Sequence, residues 1–221
     1  MNQITAIAEL APDQILARGR EVVRIEADAL GLLGQALDDN FVRACQIIRK
    51  ASRQLVITGM GKSGHIGRKV AATFAATGTP AIFIHPGEAA HGDLGMLAQG
   101  DVLLVLSNSG NTGELRAILN YARKGAIPII GVASRRNSLV GELADTTLLL
   151  PRVREACAAN VAPTTSTTLQ LALGDALAMA VMDMRGVSKN WLRAVHPAGA
   201  IGLALTPLAD IMHGAARLPL V

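Results

Sequence analysis

The run Asp101-Val-Leu-Leu-Val-Leu106 leads directly into Ser107-Asn-Ser-Gly-Asn-Thr-Gly-Glu114 and then into Leu115-Arg-Ala-Ile-Leu-Asn-Tyr-Ala-Arg-Lys124. An unbroken apolar run of this length predicts a strand buried on both faces, as in a parallel sheet. Leu115, Ile118, Leu119 and Ala122 recur at helical spacing and predict a helix laid on that sheet. The turn between them is an anion site in outline, because helix amides and the positive end of the helix dipole point at whatever sits over it. Ser107, Ser109 and Thr112 offer hydroxyls, and Gly110 lets the backbone approach closely. The turn has no Lys, so the expected occupant is a single phosphate and not a Mg-bound triphosphate. The alternative is an ordinary Ser/Thr helix cap; three hydroxyls with two glycines favour the ligand.

The same alternation runs through the middle of the chain. Leu55–Thr58, Ala81–Ile84, Pro128–Val132 and Thr147–Leu150 read as further strands, with helical segments between them. The expected fold is α/β: one domain with a five-stranded parallel sheet flanked by helices, doubly wound in the flavodoxin manner. Right-handed crossovers then bring the loops Gly59–Gly64, His85–Gly95, Ser107–Glu114 and the one after Leu150 to a single edge of the sheet.

Ahead of the sheet, Pro12 to about Leu37 and Phe41 to Ala51 read as amphipathic helices. Residues 1–52 are therefore expected to pack on the core or on a partner subunit. Residues 53–205 form the core, in which Thr164–Thr168 caps a long apolar helix from Leu169 to about Met184, and 206–221 is a tail.

A chain of 221 residues is long enough for one such domain. Its net charge of +4 is spread without a basic block, and one Trp, one Tyr and three Phe offer little for base stacking. Nucleic acid is not an expected partner; an anionic metabolite is. Cys45 and Cys157 form no CxxC, which fits a reduced, cytoplasmic protein. Met1–Leu10 has no basic residue ahead of its apolar positions, unlike a secretory signal, and no apolar run approaches a membrane span.

Gly59-Met-Gly-Lys-Ser-Gly64 matches GxGxxG, but the ribose-binding acid expected after the next strand is missing near His85-Pro86. It also contains GKS, but a P-loop needs Gly where Val56 stands. A sugar phosphate held by Lys62 and Ser63 is the better reading. His85, Glu88, His91 and Asp93 lie close in sequence without the helical spacing of HExxH, so a turn-rich polar loop and a metal site stay open on spacing alone. Glu114 falls in a first helical turn, where acids are common. Glu155 precedes Ala156-Cys157, where burial is expected to raise its pKa toward that of a working base. His196 follows an apolar segment and precedes Pro197. Gathered at the sheet edge beside a phosphate turn, these groups look like proton-transfer equipment.

These residues also carry a resemblance. The Ser107–Glu114 turn resembles the SxSGxTxE signature of sugar isomerase (SIS) domains. GMGKSGHIGRK (59–69), HPGEAAHGDLGM (85–96), APTTSTT (162–168), GDALA (174–178) and HPAG (196–199) are similar to the arabinose 5-phosphate isomerases of that family. The resemblance spans about Arg20 to His213. It implies interconversion of D-ribulose 5-phosphate and D-arabinose 5-phosphate through an enediol, toward 3-deoxy-octulosonate and lipopolysaccharide, by a cytoplasmic homotetramer without metal or cofactor.

The resemblance matches Lys62, His91, Glu114, Glu155 and His196 to positions of the family linked to substrate binding or catalysis. Among them Glu155 is the expected base with Glu114 second, and His196 the group expected to open the ring or shuttle a hydroxyl proton. Lys62 and His91 would hold hydroxyls, with Ser63, Ser107, Ser109 and Thr112 around the phosphate. Ala198 stands where the family usually has Gly, and Asn111-Thr112-Gly113 departs from its usual Glu-Ser/Thr-x. The Asp210-Ile-Met-His213 segment leads, in common members, into a CBS domain pair. The alternatives are a sedoheptulose 7-phosphate isomerase and a non-catalytic sugar-phosphate sensor.

Overall fold

A computed structural model describes residues 10–198 and, beyond them, Gly202, Ala204, Thr206, Pro207 and Met212. Residues 1–9, and nearly all of the expected tail at 206–221, lie outside the described residues. Two helices come first, α1 (Pro12–Ala36) and α2 (Asp39–Lys50). Strands and helices then alternate: β1 (Leu55–Gly59), α3 (Gly61–Ala76), β2 (Ala81–Ile84), α4 (Pro86–Ala89), β3 (Val102–Leu106), α5 (Arg116–Lys124), β4 (Ile129–Ala133), α6 (Leu139–Leu143) and β5 (Thr146–Leu149). The chain continues with α7 (Thr165–Arg185) and α8 (Lys189–Val195).

The five strands form one parallel sheet in the order β2-β1-β3-β4-β5. Period-two alternation of side chains divides the core between its faces. Leu55, Ile57, Val102, Leu104, Leu106, Ile130 and Val132 pack with α2, α3 and α7. Val56, Leu103, Val105 and Ile129 pack on the other side with α5 and Val140 of α6. All five residues of β3 are buried, as the unbroken apolar run requires; each such side chain contributes roughly 1.5–3 kcal/mol on burial. The helices α1 and α2 both pack on α7, and α2 also meets β5.

Three segments differ from the sequence expectation. The helix α3 begins at Gly61 and not near His65, because Gly61 (φ +57°) makes the turn out of β1 in a single step. The His85–Gly95 segment is not a plain loop: it holds α4 and a 3-10 turn at Asp93–Met96. There Pro86 starts the helix with a φ already fixed for it, and the His85 ring nitrogen Nδ1 accepts from Gly87 N at 3.2 Å. Finally, α7 starts at Thr165 within the Thr/Ser cluster, four residues earlier than the cluster itself predicts.

Candidate functional site

The strand order reverses direction at β1 and β3: the chain leaves β1 toward β2 and crosses back to place β3 on β1's other side. Crevices at such switch points, beyond the carboxyl ends of the strands, are where open α/β sheets bind ligands. Here Gly59, the last residue of β1, is in register with Leu106, the last of β3. The two turns that the sequence marked out therefore face each other across this crevice. Close approach demands the glycines: a Cβ on Gly64 would lie 2.6 Å from the Gly59 carbonyl oxygen. Because α3 begins at Gly61, Lys62 and Ser63 stand in its first turn. The N-cap residue Met60 supplies no side-chain hydrogen bond to the amides there, which leaves them suited to an anion.

The turn after β3 is braced from within and from α6. The Ser107 and Thr112 hydroxyls share a 2.9 Å hydrogen bond, and Gly110 N donates to Ser107 Oγ at 3.1 Å. Asn111 N donates to Ser109 Oγ at 3.2 Å, and Leu139 N to Asn111 Oδ1 at 2.9 Å. Ser134 donates both its N (2.8 Å) and its Oγ (2.7 Å) to the Asn108 carbonyl. Gly110 has φ +71°, and a side chain there would strike the Ser138 hydroxyl. Thr112 gives no side-chain cap to the 3-10 turn Gly113–Leu115, so the cap alternative does not account for its hydroxyl. Ser107, only 3% exposed, and Thr112 hold the turn's shape while Asn108 and Ser109 stand exposed.

The loop after β5 carries Glu155, whose Oε2 accepts from Thr164 N (2.8 Å), Thr164 Oγ1 (3.2 Å) and Ser166 N (3.2 Å). Glu155 thereby caps α7, whose own N-cap, Thr164, makes no such bond by its side chain. Burial acts to raise the carboxyl's pKa, but the Ser166 hydroxyl and the Thr164 and Ser166 amides together outweigh it, so the pKa is lowered. This overturns the expectation of a raised pKa: the residues that decide it lie nine and eleven positions further on. Asn160, at φ +54°, accepts from Glu155 N at 2.6 Å. The Cys157 thiol in the same loop is pulled down by Val161 N (3.0 Å) and Ala162 N (3.1 Å), which donate to its Sγ. From outside, Arg18 of α1 donates to the Ala156 carbonyl and pairs with Glu21 at 2.6 Å; Glu21 also faces Arg154 at 3.6 Å.

A cavity of about 470 Å³ opens over the crevice, and Lys62, Ser63 and Glu155 all line it. Asn108, Arg135, Asn160, Ser166 and Thr167 line it too, none of which the sequence had singled out as a site residue. Arg135 was findable, since it follows β4 at the same sheet edge; Ser166 and Asn160 depend on how the loop folds back. A second lobe of about 260 Å³ shares Asn108, Arg135, Val153 and Ser166 with the first.

Six expected members do not line either lobe: Ser107, Ser109 and Thr112, whose turn reaches the cavity through Asn108, and His91, Glu114 and His196. His91 and Glu114 are exposed. His196 lines a separate cavity of about 480 Å³ beside α8, with Asn190 and Arg193. Its Nδ1 lies 2.8 Å from the Leu192 carbonyl. A carbonyl only accepts, so the neutral ring carries its proton on Nδ1 and keeps a basic lone pair on Nε2. Among the described residues no group of three or more His, Cys, Asp or Glu stands together as metal ligands, so His85, Glu88, His91 and Asp93 do not form one.

The sequence pattern of the SIS domain matches residues 47–180, which include the whole sheet and both turns of the crevice. The chain belongs to the SIS domain family. Among SIS relatives, it is 45% identical over 204 residues to the arabinose 5-phosphate isomerase KdsD of Yersinia pestis, a match covering 92% of this chain and 62% of that one. It is also 45% identical over 202 residues to KdsD of Escherichia coli K12, again with 62% of the relative covered. The chain thus spans less than two thirds of the curated relatives it matches. Among solved SIS structures, that of c3406 from E. coli CFT073 in complex with arabinose 5-phosphate superposes with a TM-score of 0.82. The two are 32% identical, and the match covers 85% of this chain and all of the other.

Proposed function

We propose that this chain is an aldose–ketose isomerase that interconverts D-ribulose 5-phosphate and D-arabinose 5-phosphate. The observation that carries this reading is the crevice cavity, in which Lys62, Ser63 and Glu155 converge beside the Ser107–Thr112 turn. The 45% identity to two proteins named for that activity supports the choice of sugar.

The chemistry moves a proton between C1 and C2. A base removes it from C1 of the ketose, the charge passes to the oxygen on C2 in an enediolate, and the proton returns at C2. Glu155 is the base. Its lowered pKa means that it is ionised, and hence ready, throughout the neutral range. Glu114 is the second candidate for that role. Lys62 and His91 hold hydroxyls and polarise the oxygen. The phosphate sits against Ser63, Ser107, Ser109 and Thr112, and its binding energy positions the reacting carbons. His196, with its basic Nε2, opens the furanose ring or shuttles the hydroxyl proton. A neighbouring copy supplies the groups that one chain's cavity lacks, within a homotetramer. The enzyme works in the cytoplasm, where phosphosugars are made, and serves 3-deoxy-octulosonate and lipopolysaccharide synthesis.

The test is the purified chain with ribulose 5-phosphate followed by NMR. Arabinose 5-phosphate is the expected product. Ribose 5-phosphate would overturn the stereochemical assignment, and binding without turnover would return the sensor reading. Glu155→Gln keeps an acceptor for the α7 cap, and it is expected to slow deuterium exchange at C1 by on the order of a hundredfold or more. Exchange at the parental rate would remove Glu155 from the role.

A further inference from the structure

We infer that Arg135 is a second cation for the substrate's phosphate, set opposite Lys62 across the Ser107–Thr112 turn. The inference rests on the phosphosugar reading above and assigns that site one more specificity-determining residue.

The sheet order places it. β3 lies between β1 and β4, so the turn that follows β3 is flanked by the loop after β1, which carries Lys62, and the loop after β4, which carries Arg135. The β4 loop is pinned beside the turn, because both donors of Ser134 go to the Asn108 carbonyl. Arg135 is the next residue, and it lines both lobes of the cavity together with Asn108.

Several arginines are held by carboxylates, whereas Arg135, like Arg152 on the second lobe, is not. Arg18, Arg24, Arg53, Arg123 and Arg154 each face a carboxylate. Among the described residues the Arg135 guanidinium has no ion pair and no hydrogen bond, and the same is true of Lys62. Glu155 is the one carboxylate on the larger lobe, and its Oε2 is taken up by Thr164 and Ser166. Two unpaired cations thus overlook a polar cavity with a single carboxylate on its wall, which fits a dianion as occupant. A guanidinium matches two phosphate oxygens with its rigid fork, whereas Lys62 acts as a point charge.

The experiment compares the parent chain with Arg135→Ala, Arg135→Lys and Arg136→Ala, the last removing an exposed neighbouring charge that does not line the cavity. Isomerisation of ribulose 5-phosphate gives kcat and KM, and calorimetry with inorganic phosphate gives binding without turnover. Arg135→Ala is expected to weaken phosphate binding and raise KM by about 10- to 100-fold, the loss of a charge-assisted contact, with kcat changed less than about threefold. Arg135→Lys should recover part of that loss, and Arg136→Ala should lose none of it. Unchanged phosphate affinity in Arg135→Ala, or a fall in kcat at constant KM, would overturn the assignment. Absence of turnover by the parent chain would count against the isomerase reading alone, because the calorimetric comparison still decides the role of Arg135.

Discussion

The Glu155 carboxylate joins two functions that pull against each other: it caps α7 and it faces the cavity. Three hydrogen bonds to Oε2 stabilise its ionised form, and this has a definite consequence for pH dependence. Its folded-state pKa is below that of the unfolded chain. Its stabilising contribution is therefore complete above the ordinary carboxylate range of about 4 and is lost as pH falls through the lowered value. Glu155→Gln should melt below the parent at pH 7, and the gap should narrow toward about pH 3 in thermal scans read by circular dichroism. A gap that widens on acidification would mean that the cap does not depend on charge. The same shift bears on catalysis. If Glu155 is the base, the acid limb of kcat/KM should lie below about pH 5; a limb between about pH 6 and 7 would point to a histidine. The sequence could place Glu155 beside Ala156 and Cys157, but the donors that control it arrive only when Thr164 and Ser166 fold back over the loop.

Among the elements, α1 does more than cover α7. It contributes two buried apolar residues, Ala29 and Leu33, and near its start Arg18 holds the Ala156 carbonyl. Arg18 also pairs with Glu21, which faces Arg154, so both sides of Glu155 are tied to one helix. These groups are partly solvated, and removing one such contact is expected to cost at most about 1 kcal/mol, a Tm change of roughly 2–4 °C. Misplacing a catalytic carboxylate costs far more than that in rate. Arg18→Ala should therefore lower kcat by about tenfold with little loss of stability, and Arg18→Lys should recover part of it. A proportional fall in Tm and activity would mean that α1 acts only as packing. At this scale the sequence was most legible where chemistry and periodicity agree. Apolar runs marked β1, β3 and β4, and the small-residue turns after β1 and β3 were recognisable as the two sides of the crevice between those strands. It was least legible where a side chain far along the chain decides a boundary, as Glu155 does for the start of α7.

For the molecule as a whole, the pattern on α1 points outward. Leu16, Val23, Leu30 and Leu37 recur every seven residues, and all are exposed in the single chain, Val23 by 69%. A stripe of this kind would suit contact between helices of two copies in the proposed homotetramer. The proposed site asks for the same arrangement, since Lys62 and Glu155 share a cavity that His196 does not line. If a second copy brings His196 to that cavity, stability of the assembly and activity must be linked. Val23→Asp puts a charge in the stripe and should yield a smaller species by light scattering, with activity falling at protein concentrations where that species prevails. Complementation then separates a shared site from mere assembly. Glu155→Gln and His196→Ala, each inactive alone, should regain activity when unfolded together and refolded as mixed oligomers, because some sites then combine an intact Glu155 from one copy with an intact His196 from the other. Mixed oligomers that stay as inactive as their parents would place both residues of each working site in one chain, and α1 would then be an interface without a catalytic part.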